Sequence, residues 1–345
     1  ISVHASGVVI SPDKITHLTP IQYETGGDKL ITQYEMHAAE DVGLVKFDIL
    51  GLDNLAILGS SIVKVRETRG LEINIRKIPT DDKKTFEMLS RGETEGVFQM
   101  SGDGMTKWLK ELQPNRVEDL MAMVALFRPG PMAIIPEYIS RKRDPGKTAY
   151  FDEKMKSYLD KSYGLLVYQD DCLLTAINIA GYSWLDADKF RKAIGKKIPE
   201  EMAKQKILFT EGCIKTSSYT KERAEELFAY IEPFTGYGFN KAHAAAYGML
   251  AYKTAYMKAN YPVEYMCAFL TAKSDNLEEV GNGVEECRRM GVIVMPPDIN
   301  KSRVGFDIEE NSDSLEGRGI RFGLNAIKNV GSAAIDVILA ERNTY

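Results

Sequence analysis

The hydrophobic pattern of the chain changes its period near residue 52, and this change limits the folds open to it. Before that point, residues 5–11, 29–36 and 43–50 read as short strands rich in valine and isoleucine, separated by turn signals such as Gly26–Gly27. From residue 52 onward the apolar residues recur with a helical period, first in LDNLAILGSSIVKVRETRG. The pattern therefore predicts an α+β, predominantly helical protein with one small sheet at its start.

Helical patterns continue through most of the chain, and proline-rich connections separate them. Asn115 and Thr220 are predicted helix caps. After residue 300 the pattern is mixed, with short strands near 304–308 and 319–324 and a glycine-centred turn between two helical halves. The helices are predicted at about 83–91, 102–112, 116–127, 152–161, 170–180, 184–194, 199–215, 220–232, 241–260, 262–272 and 276–290.

Composition excludes several classes of protein. A formal net charge of −5 argues against a uniformly basic nucleic-acid coat, although a local basic channel remains compatible with it. Four widely spaced cysteines without a CxxC pair disfavour a zinc site and fit reduced thiols in a cytoplasmic protein. No apolar run approaches the roughly 20 residues of a membrane span. The chain lacks a secretory signal and an initiator methionine, so we expect both ends to be cuts through a longer cytoplasmic polypeptide.

The segment GLVKFDILGL, residues 43–52, sets one lysine and one aspartate on a short strand. Side chains alternate along a strand, so Lys46 and Asp48 share one face. A carboxylate beside an ammonium suits a site for a divalent metal and a polyphosphate, but two bridging metals need more acidic ligands than one. On spacing alone, a surface salt bridge is the favoured interpretation.

A dense basic segment lies at residues 188–206. Arg191 and Lys196 flank Gly195, where a turn would let an anion approach the backbone. A solvated basic helix is the alternative, and the pattern leaves both interpretations open. The basic positions are Lys189, Arg191, Lys192, Lys196, Lys197, Lys204 and Lys206.

A third candidate is an alanine-rich helix preceded by glycines, at residues 236–262. Its first turn carries Asn240, Lys241 and His243, and a helix start of this kind attracts anions. Tyr247 follows at helical spacing on the same face. Tight helix packing with a satisfied histidine explains the pattern equally well. Elsewhere, Arg128 in FRPGP could contact a phosphate or cap the preceding helix, and capping is favoured for that segment alone.

Taken together, these segments resemble the alpha subunits of bacterial DNA polymerase III, the family C replicative polymerases. The similar segments lie in the family's order across nearly the whole chain. GLVKFDILGL followed by FRKAIGKK and GYGFNKAHAAAY is the most specific combination. The segments are HASGVVISP (4–12), GLVKFDILGL (43–52), VFQM (97–100), VALFRPGP (124–131), YGLLVYQD (163–170), FRKAIGKKIPEEMAKQ (190–205), GYGFNKAHAAAY (236–247) and MPPDIN (295–300).

The resemblance implies a fold and a set of site residues. Residues 1–58 would be the second half of a polymerase β-like palm, 59–300 the fingers, and 301–345 a distal part that begins a helix-hairpin-helix-like element. Asp48 would be the third of three palm aspartates that bind two Mg²⁺ ions, with the other two upstream of this chain. Lys46, Arg191, Lys196, Lys197, Asn240, Lys241 and His243 would surround the incoming triphosphate, with Arg128, Lys192 and Tyr247 as further DNA or phosphate contacts.

The resemblance also implies an activity. The complete enzyme would be a DNA-directed DNA polymerase that joins a deoxynucleoside triphosphate to a primer 3′-hydroxyl on template DNA, assisted by a sliding clamp and a proofreading exonuclease. The chain alone is expected to be inactive. The alternative is a nucleic-acid- or nucleotide-binding module without catalysis. A phosphotransferase with a GxxxxGK[ST] loop is disfavoured, since the sequence contains no such loop.

Overall fold

The computed structural model describes residues 7–49, 51–195 and 199–342. The residues up to Asp53 and those from Asn54 onward form two separate compact units. In chain order, the elements of the first unit are β1 (Gly7–Ile10), β2 (Ile21–Tyr23), β3 (Leu30–Thr32), α1 (Met36–Asp41) and β4 (Val45–Asp48).

The first unit contains two antiparallel ribbons in place of the one small sheet predicted from the pattern. Strand β1 pairs with β4, and β2 pairs with β3 around the turn that contains Gly26–Gly27. The pattern did not indicate β2. The predicted strand 29–36 is shorter than expected, because the Glu35 side chain accepts the amides of His37 and Ala38 and starts α1.

One face of the β1–β4 ribbon is apolar and exposed. Val8 lies opposite Phe47, and Ile10 lies opposite Val45. Each of these four side chains is about half exposed. The polar face of the ribbon therefore carries Lys46, with the apolar residues of β4 on the other side, as the alternation predicts.

The second unit is mostly helical and has a small three-stranded sheet before its last helix. The strands of this sheet lie in the order β5, β7, β6, with β5 parallel to β7 and β6 antiparallel to it. The elements are α2 (Asp53–Arg69), α3 (Lys83–Arg91), α4 (Asp103–Leu112), α5 (Val117–Leu126), α6 (Ile135–Arg143), α7 (Lys156–Leu159), α8 (Gln169–Ala180), α9 (Trp184–Gly195), α10 (Pro199–Ser217), α11 (Lys221–Tyr237), α12 (Lys241–Asn260), α13 (Pro262–Ala272), α14 (Leu277–Arg289), β5 (Val294–Met295), β6 (Asp307–Glu310), β7 (Arg318–Arg321) and α15 (Ser332–Arg342).

Most of the predicted helices are confirmed within a few residues, and the predominantly helical α+β class with them. The pattern did not indicate α6, whose Pro136 sits in the first turn, where a missing N–H costs no hydrogen bond. The predicted cap at Asn115 is wrong: Arg116 is the N-cap residue of α5, and it makes no side-chain cap. Thr220 is confirmed as the cap of α11, since its hydroxyl accepts the Arg223 amide.

Three hydrophobic cores hold the helical unit together. The first is formed by α3 to α6 with α12, the second by α2, α13, α14 and the C-terminal sheet, and the third by α7 to α11. Helix α12 contributes to both the first and the second core. All four cysteines are buried and none forms a disulfide. In the described part of the chain, no helix has both the length and the apolar character needed to cross a bilayer.

Buried carboxylates link elements that are distant in sequence. Glu264 of α13 is fully buried and accepts hydrogen bonds from Arg69 and Thr68 at the end of α2. It also accepts one from Arg318 of β7. Because three donors converge on one carboxylate, the second core is fixed at this point by charge as well as by apolar contact.

Candidate functional site

The lysine and aspartate of β4 form a close ion pair. Lys46 Nζ lies 3.0 Å from Asp48 Oδ1 and 3.2 Å from Asp48 Oδ2. This confirms that the two side chains share one face of the strand. The lysine side chain is 16% exposed and the aspartate side chain 45% exposed. The carboxylate is therefore accessible to a ligand from solvent while the ammonium holds it in place.

This pair does not by itself make a metal centre. Within residues 7–49, 51–195 and 199–342, no three His, Cys, Asp or Glu side chains form a group that could hold a metal ion. One carboxylate beside an ammonium falls short of the shared acidic ligands that a two-ion site requires. The described residues thus offer Asp48 as a single ligand at most.

The start of α12 is capped by side chains. Asn240 is the N-cap residue, and its Oδ1 accepts the His243 amide at 2.8 Å. The Lys241 amide donates to Asp170 Oδ2 of α8 at 3.2 Å. Two of the first three amides of the helix are therefore already bonded, in contrast to the open anion site suggested by the sequence.

A row of rings runs along the first turns of α12. The ring centroids of Phe239 and His243 are 5.3 Å apart, and those of His243 and Tyr247 are 3.9 Å apart. The Arg128 guanidinium lies 4.8 Å from the centre of the Phe239 ring. His243 and Tyr247 therefore share a helix face, as predicted, and the segment around Arg128 meets the start of α12.

Arg128 also caps the helix that precedes it. Its Nε donates to the Ala125 carbonyl in the last turn of α5 at 2.8 Å, which confirms the capping interpretation. Burial lowers the pKa of the guanidinium. The side chain is half-buried, so it presents only part of its surface to solvent.

The start of α8 is joined to the residues that precede α12. The Gln169 amide donates to the Phe239 carbonyl at 3.0 Å, and Tyr168 and Phe239 form a parallel β-bridge. Lys241 Nζ lies 5.4 Å from the centre of the Tyr168 ring. This α8–α12 junction brings two helix N-termini together.

A buried aspartate lies within the same junction. Asp171 Oδ2 accepts the amides of Val167 and Tyr168, at 2.9 and 2.8 Å. Its Oδ1 is buried and has no hydrogen-bond partner among the residues that the structure describes. Burial raises the pKa of Asp171 to about 6, and the two amides and the Lys241 charge only partly offset this effect.

The basic segment has its own acidic partners. Arg191 and Lys192 both pair with Asp188 on the same helix, at 2.8 and 2.7 Å. Lys189 pairs with Asp186, and Lys204 with Glu201. This arrangement is typical of a solvated helix face. Lys196 and Lys197 lie outside the described residues, and Gly195 is the last residue of α9.

Some of the predicted site residues therefore lie close together in the structure, and the others lie in different elements. Arg128, Asn240, Lys241, His243 and Tyr247 meet around the start of α12. Arg191 and Lys192 lie on α9, a helix whose apolar residues pack in the third core. Lys46 and Asp48 belong to the first unit.

Sequence reasoning missed Phe239 and Asp170, although both belong to the α8–α12 junction. The paired acids at 170 and 171, directly before an apolar helical run, were an available signal.

The last described residues form a compact turn and helix. The first predicted helical half is only a 3-10 turn at Leu324–Ala326, and the second is α15. Between them Asn329 adopts a positive φ of 66°, and the Gly331 carbonyl accepts the amides of Ala334 and Ile335. Lys328 and Asn329 are exposed at this turn.

Comparison with known proteins identifies the family. The model described as the bacterial DNA polymerase III alpha NTPase domain matches residues 1–51, and the bacterial DNA polymerase III alpha subunit finger domain matches residues 54–217. The chain belongs to the bacterial DNA polymerase III alpha-subunit family. A helix-hairpin-helix motif matches residues 291–345 of this family member.

Curated relatives in the alpha-subunit family are similar along almost the whole chain. The DNA polymerase III subunit alpha of Thermus aquaticus is 45% identical over 99% of this chain and 28% of its own length. That of Escherichia coli K12 is 42% identical over 99% of this chain and 30% of its own length. The Borreliella burgdorferi subunit is 41% identical over 99% of this chain and 29% of its own length. The chain thus spans less than a third of each relative.

Proposed function

We propose that this chain is the part of a DNA-directed DNA polymerase that supplies one metal-binding carboxylate and much of the surface around the incoming nucleotide. The observation that carries this proposal is the pair of Lys46 and Asp48, 3.0 Å apart on one strand face, in a member of the DNA polymerase III alpha-subunit family. The reaction is attack of a primer 3′-hydroxyl on the α-phosphate of a deoxynucleoside triphosphate, with release of pyrophosphate.

Asp48 is proposed as a ligand for Mg²⁺ in the complete enzyme, and Lys46 as a nearby phosphate contact. Mg²⁺ would supply charge neutralisation at the phosphates when bound. The described residues contribute a single carboxylate to that site, so we propose that the chain is inactive without further acidic residues. Lys46, 3.0 Å from the Asp48 carboxylate, holds that carboxylate in a fixed orientation.

The start of α12 is proposed as the main contact for the triphosphate. Lys241 and Arg128 supply positive charge there, and the dipole of a 20-residue helix adds to it. Asn240 fixes the first turn, while His243 and Tyr247 extend the surface along the helix. Arg191, Lys192, Lys196 and Lys197 are proposed as further phosphate contacts, which requires the first two to exchange Asp188 for a phosphate.

The helix-hairpin-helix match supports a DNA contact near the end of the chain. Its turn exposes Lys328 and Asn329, and backbone amides at such a turn suit a phosphate oxygen. Primer–template DNA is therefore the proposed macromolecular partner. A sliding clamp and a proofreading exonuclease remain proposed partners of the complete enzyme, and a cytoplasmic location remains a prediction.

The test is an Asp48→Asn substitution in the complete polypeptide that carries this sequence. Losing the carboxylate charge should lower the rate of primer extension by at least about a hundred-fold. Primer–template affinity should stay within about two-fold, because the change removes no phosphate contact. Both quantities are measured with a labelled primer, by gel extension and by fluorescence anisotropy.

The matched control is Asp28→Asn, which removes the same charge from the exposed turn between β2 and β3. Near-normal extension by the Asp48→Asn enzyme would remove Asp48 from the reaction. Extension by the 345-residue chain alone would contradict the proposed inactivity. A binding module without catalysis would instead lose DNA affinity steeply with salt and respond to neither Mg²⁺ nor triphosphate.

A further inference from the structure

The positive end of α12 already holds an anion from another helix. Asp170, in the first turn of α8, accepts the Lys241 amide through Oδ2. The Asn240 side-chain oxygen accepts a hydrogen bond from the His243 amide. A carboxylate at a helix start satisfies the same amides and the same dipole that a phosphate oxygen would satisfy. The Asp170 carboxylate therefore occupies the position at the start of α12 where a phosphate of the proposed triphosphate would bind.

Backbone contacts hold Asp170 in this place. The Gln169 amide bonds the Phe239 carbonyl, and Tyr168 pairs with Phe239. Gly238 allows the close approach, since a Cβ there would lie 2.7 Å from the Phe234 carbonyl oxygen and 2.8 Å from Gln169 Cγ. The first turn of α8 is thus fixed beside the start of α12 by main-chain geometry, and Asp170 reaches the Lys241 amide as a result.

The ammonium of Lys241 is also engaged with α8. It lies over the Tyr168 ring, 5.4 Å from the centroid, and its charge acts on the buried Asp171 carboxylate. Asp171 Oδ1 is buried and, within the described part of the chain, has no hydrogen-bond partner. Two acidic residues of α8 therefore balance the positive charge that the α12 start would otherwise offer to a ligand.

We propose that Asp170 is an internal competitor of the phosphate: its carboxylate occupies the anion position at the start of α12, and a triphosphate binds there by replacing it. This inference rests on the proposed function, because it concerns the same helix start. Lys241 then turns from Tyr168 toward the phosphate. Asp170 lowers the affinity for phosphate in general, so that only a ligand of high negative charge binds well.

The experiment uses Asp170→Asn in the complete polypeptide, with inorganic tripolyphosphate as the probe. Asparagine keeps an acceptor for the Lys241 amide and removes the negative charge. Isothermal titration in EDTA at low salt, where bound metal cannot contribute, should show a Kd about five-fold lower than in the natural protein. Glu222→Gln, which removes a charge from the first turn of α11, is the matched control and should leave Kd unchanged.

Each outcome separates the inference from the proposed function. Natural protein that binds tripolyphosphate, and loses affinity on Lys241→Ala, supports the helix start as the site. If Asp170→Asn then binds tripolyphosphate equally or more weakly, Asp170 has only a structural role. The inference is then overturned, while the proposed triphosphate contact at α12 stands. If neither the natural protein nor Asp170→Asn binds tripolyphosphate, the start of α12 is not the triphosphate contact, and the proposal for Asp170 fails with it. Should Asp170→Asn fail to fold, Asp170→Ser, which keeps a hydroxyl acceptor, must show the same tightening.

Discussion

At the scale of single residues, Glu264 illustrates what a buried charge requires. Its carboxylate is fully buried between α2, α13 and β7. Burial by itself would raise its pKa, but hydrogen bonds from Arg69, Thr68 and Arg318, together with one from the backbone, outweigh this effect and lower the pKa to about 2. The carboxylate therefore remains ionised at neutral pH.

This shift predicts how stability depends on pH. Because the folded pKa lies below the unfolded value of about 4.3, Glu264 stabilises the fold above that pH, and the contribution is lost as pH falls toward 2. Glu264→Gln should cost about 3 kcal/mol at pH 7 by leaving two arginines without their buried partner. It should also flatten the acid side of the stability profile, measured by urea unfolding from pH 7 to pH 3.

The exposed Glu278, in the first turn of α14, provides the control. Glu278→Gln should leave both the free energy of unfolding and its acid dependence nearly unchanged. An acid profile for Glu264→Gln parallel to that of the natural protein would show that other carboxylates dominate acid unfolding.

At the scale of elements, α12 depends on a close contact with α5. Gly248 is buried, and a Cβ there would lie 2.6 Å from Met121 Cγ and 3.0 Å from the backbone nitrogen of Met121. Gly248→Ala should therefore destabilise the protein by about 1–3 kcal/mol, although alanine favours helix formation. Denaturant unfolding measures this change.

The matched control for that substitution is Gly59→Ala in α2. An added Cβ at Gly59 would meet no atom of the described residues within 4 Å, so helix propensity is the effect expected there. That variant should be stabilised by up to about 1 kcal/mol. If the two alanine variants changed stability equally, packing between α5 and α12 would not explain the glycine.

Local sequence signals, such as periodicity and capping residues, predicted the helices and strands well. They did not predict contacts between segments that are distant in sequence. The predicted bounds of α12 are confirmed, and the structure shows that Asn240, which the sequence placed in the first turn, is its N-cap residue. The Lys46–Asp48 pair followed from the period of a strand. The hydrogen bond from Lys241 to Asp170 joins residues 71 positions apart, and no local period reports on such a contact. For the same reason, two ribbons in the first unit could not be told from one sheet.

At the scale of the whole molecule, the buried thiols report on the second and third cores. Burial raises the pKa of Cys213, Cys267 and Cys287 to about 12, so the reactive thiolate is scarce at pH 8. Cys267 and Cys287 belong to the second core, and Cys213 belongs to the third. We expect almost no reaction with a thiol reagent in the native protein and labelling of all four on unfolding.

Mass spectrometry of the labelled peptides at increasing urea would show whether the second or the third core opens first. Cys172 on α8 is also buried and provides a second reporter beside Cys213. Rapid labelling of any of these thiols in the absence of urea would contradict the packing of the core that contains it.

The bridge between Tyr168 and Phe239 has a consequence for how this architecture can be altered. The chain leaves for α8 at one residue and returns from α11 at its neighbour, and the helices between them share the third core. Because the two ends of this segment touch, residues can be inserted within it without moving the points where it joins the rest of the chain. Helices α8 to α11 therefore form a segment with adjacent ends, and an exchanged segment must keep the apolar surface that packs against α7 in the third core.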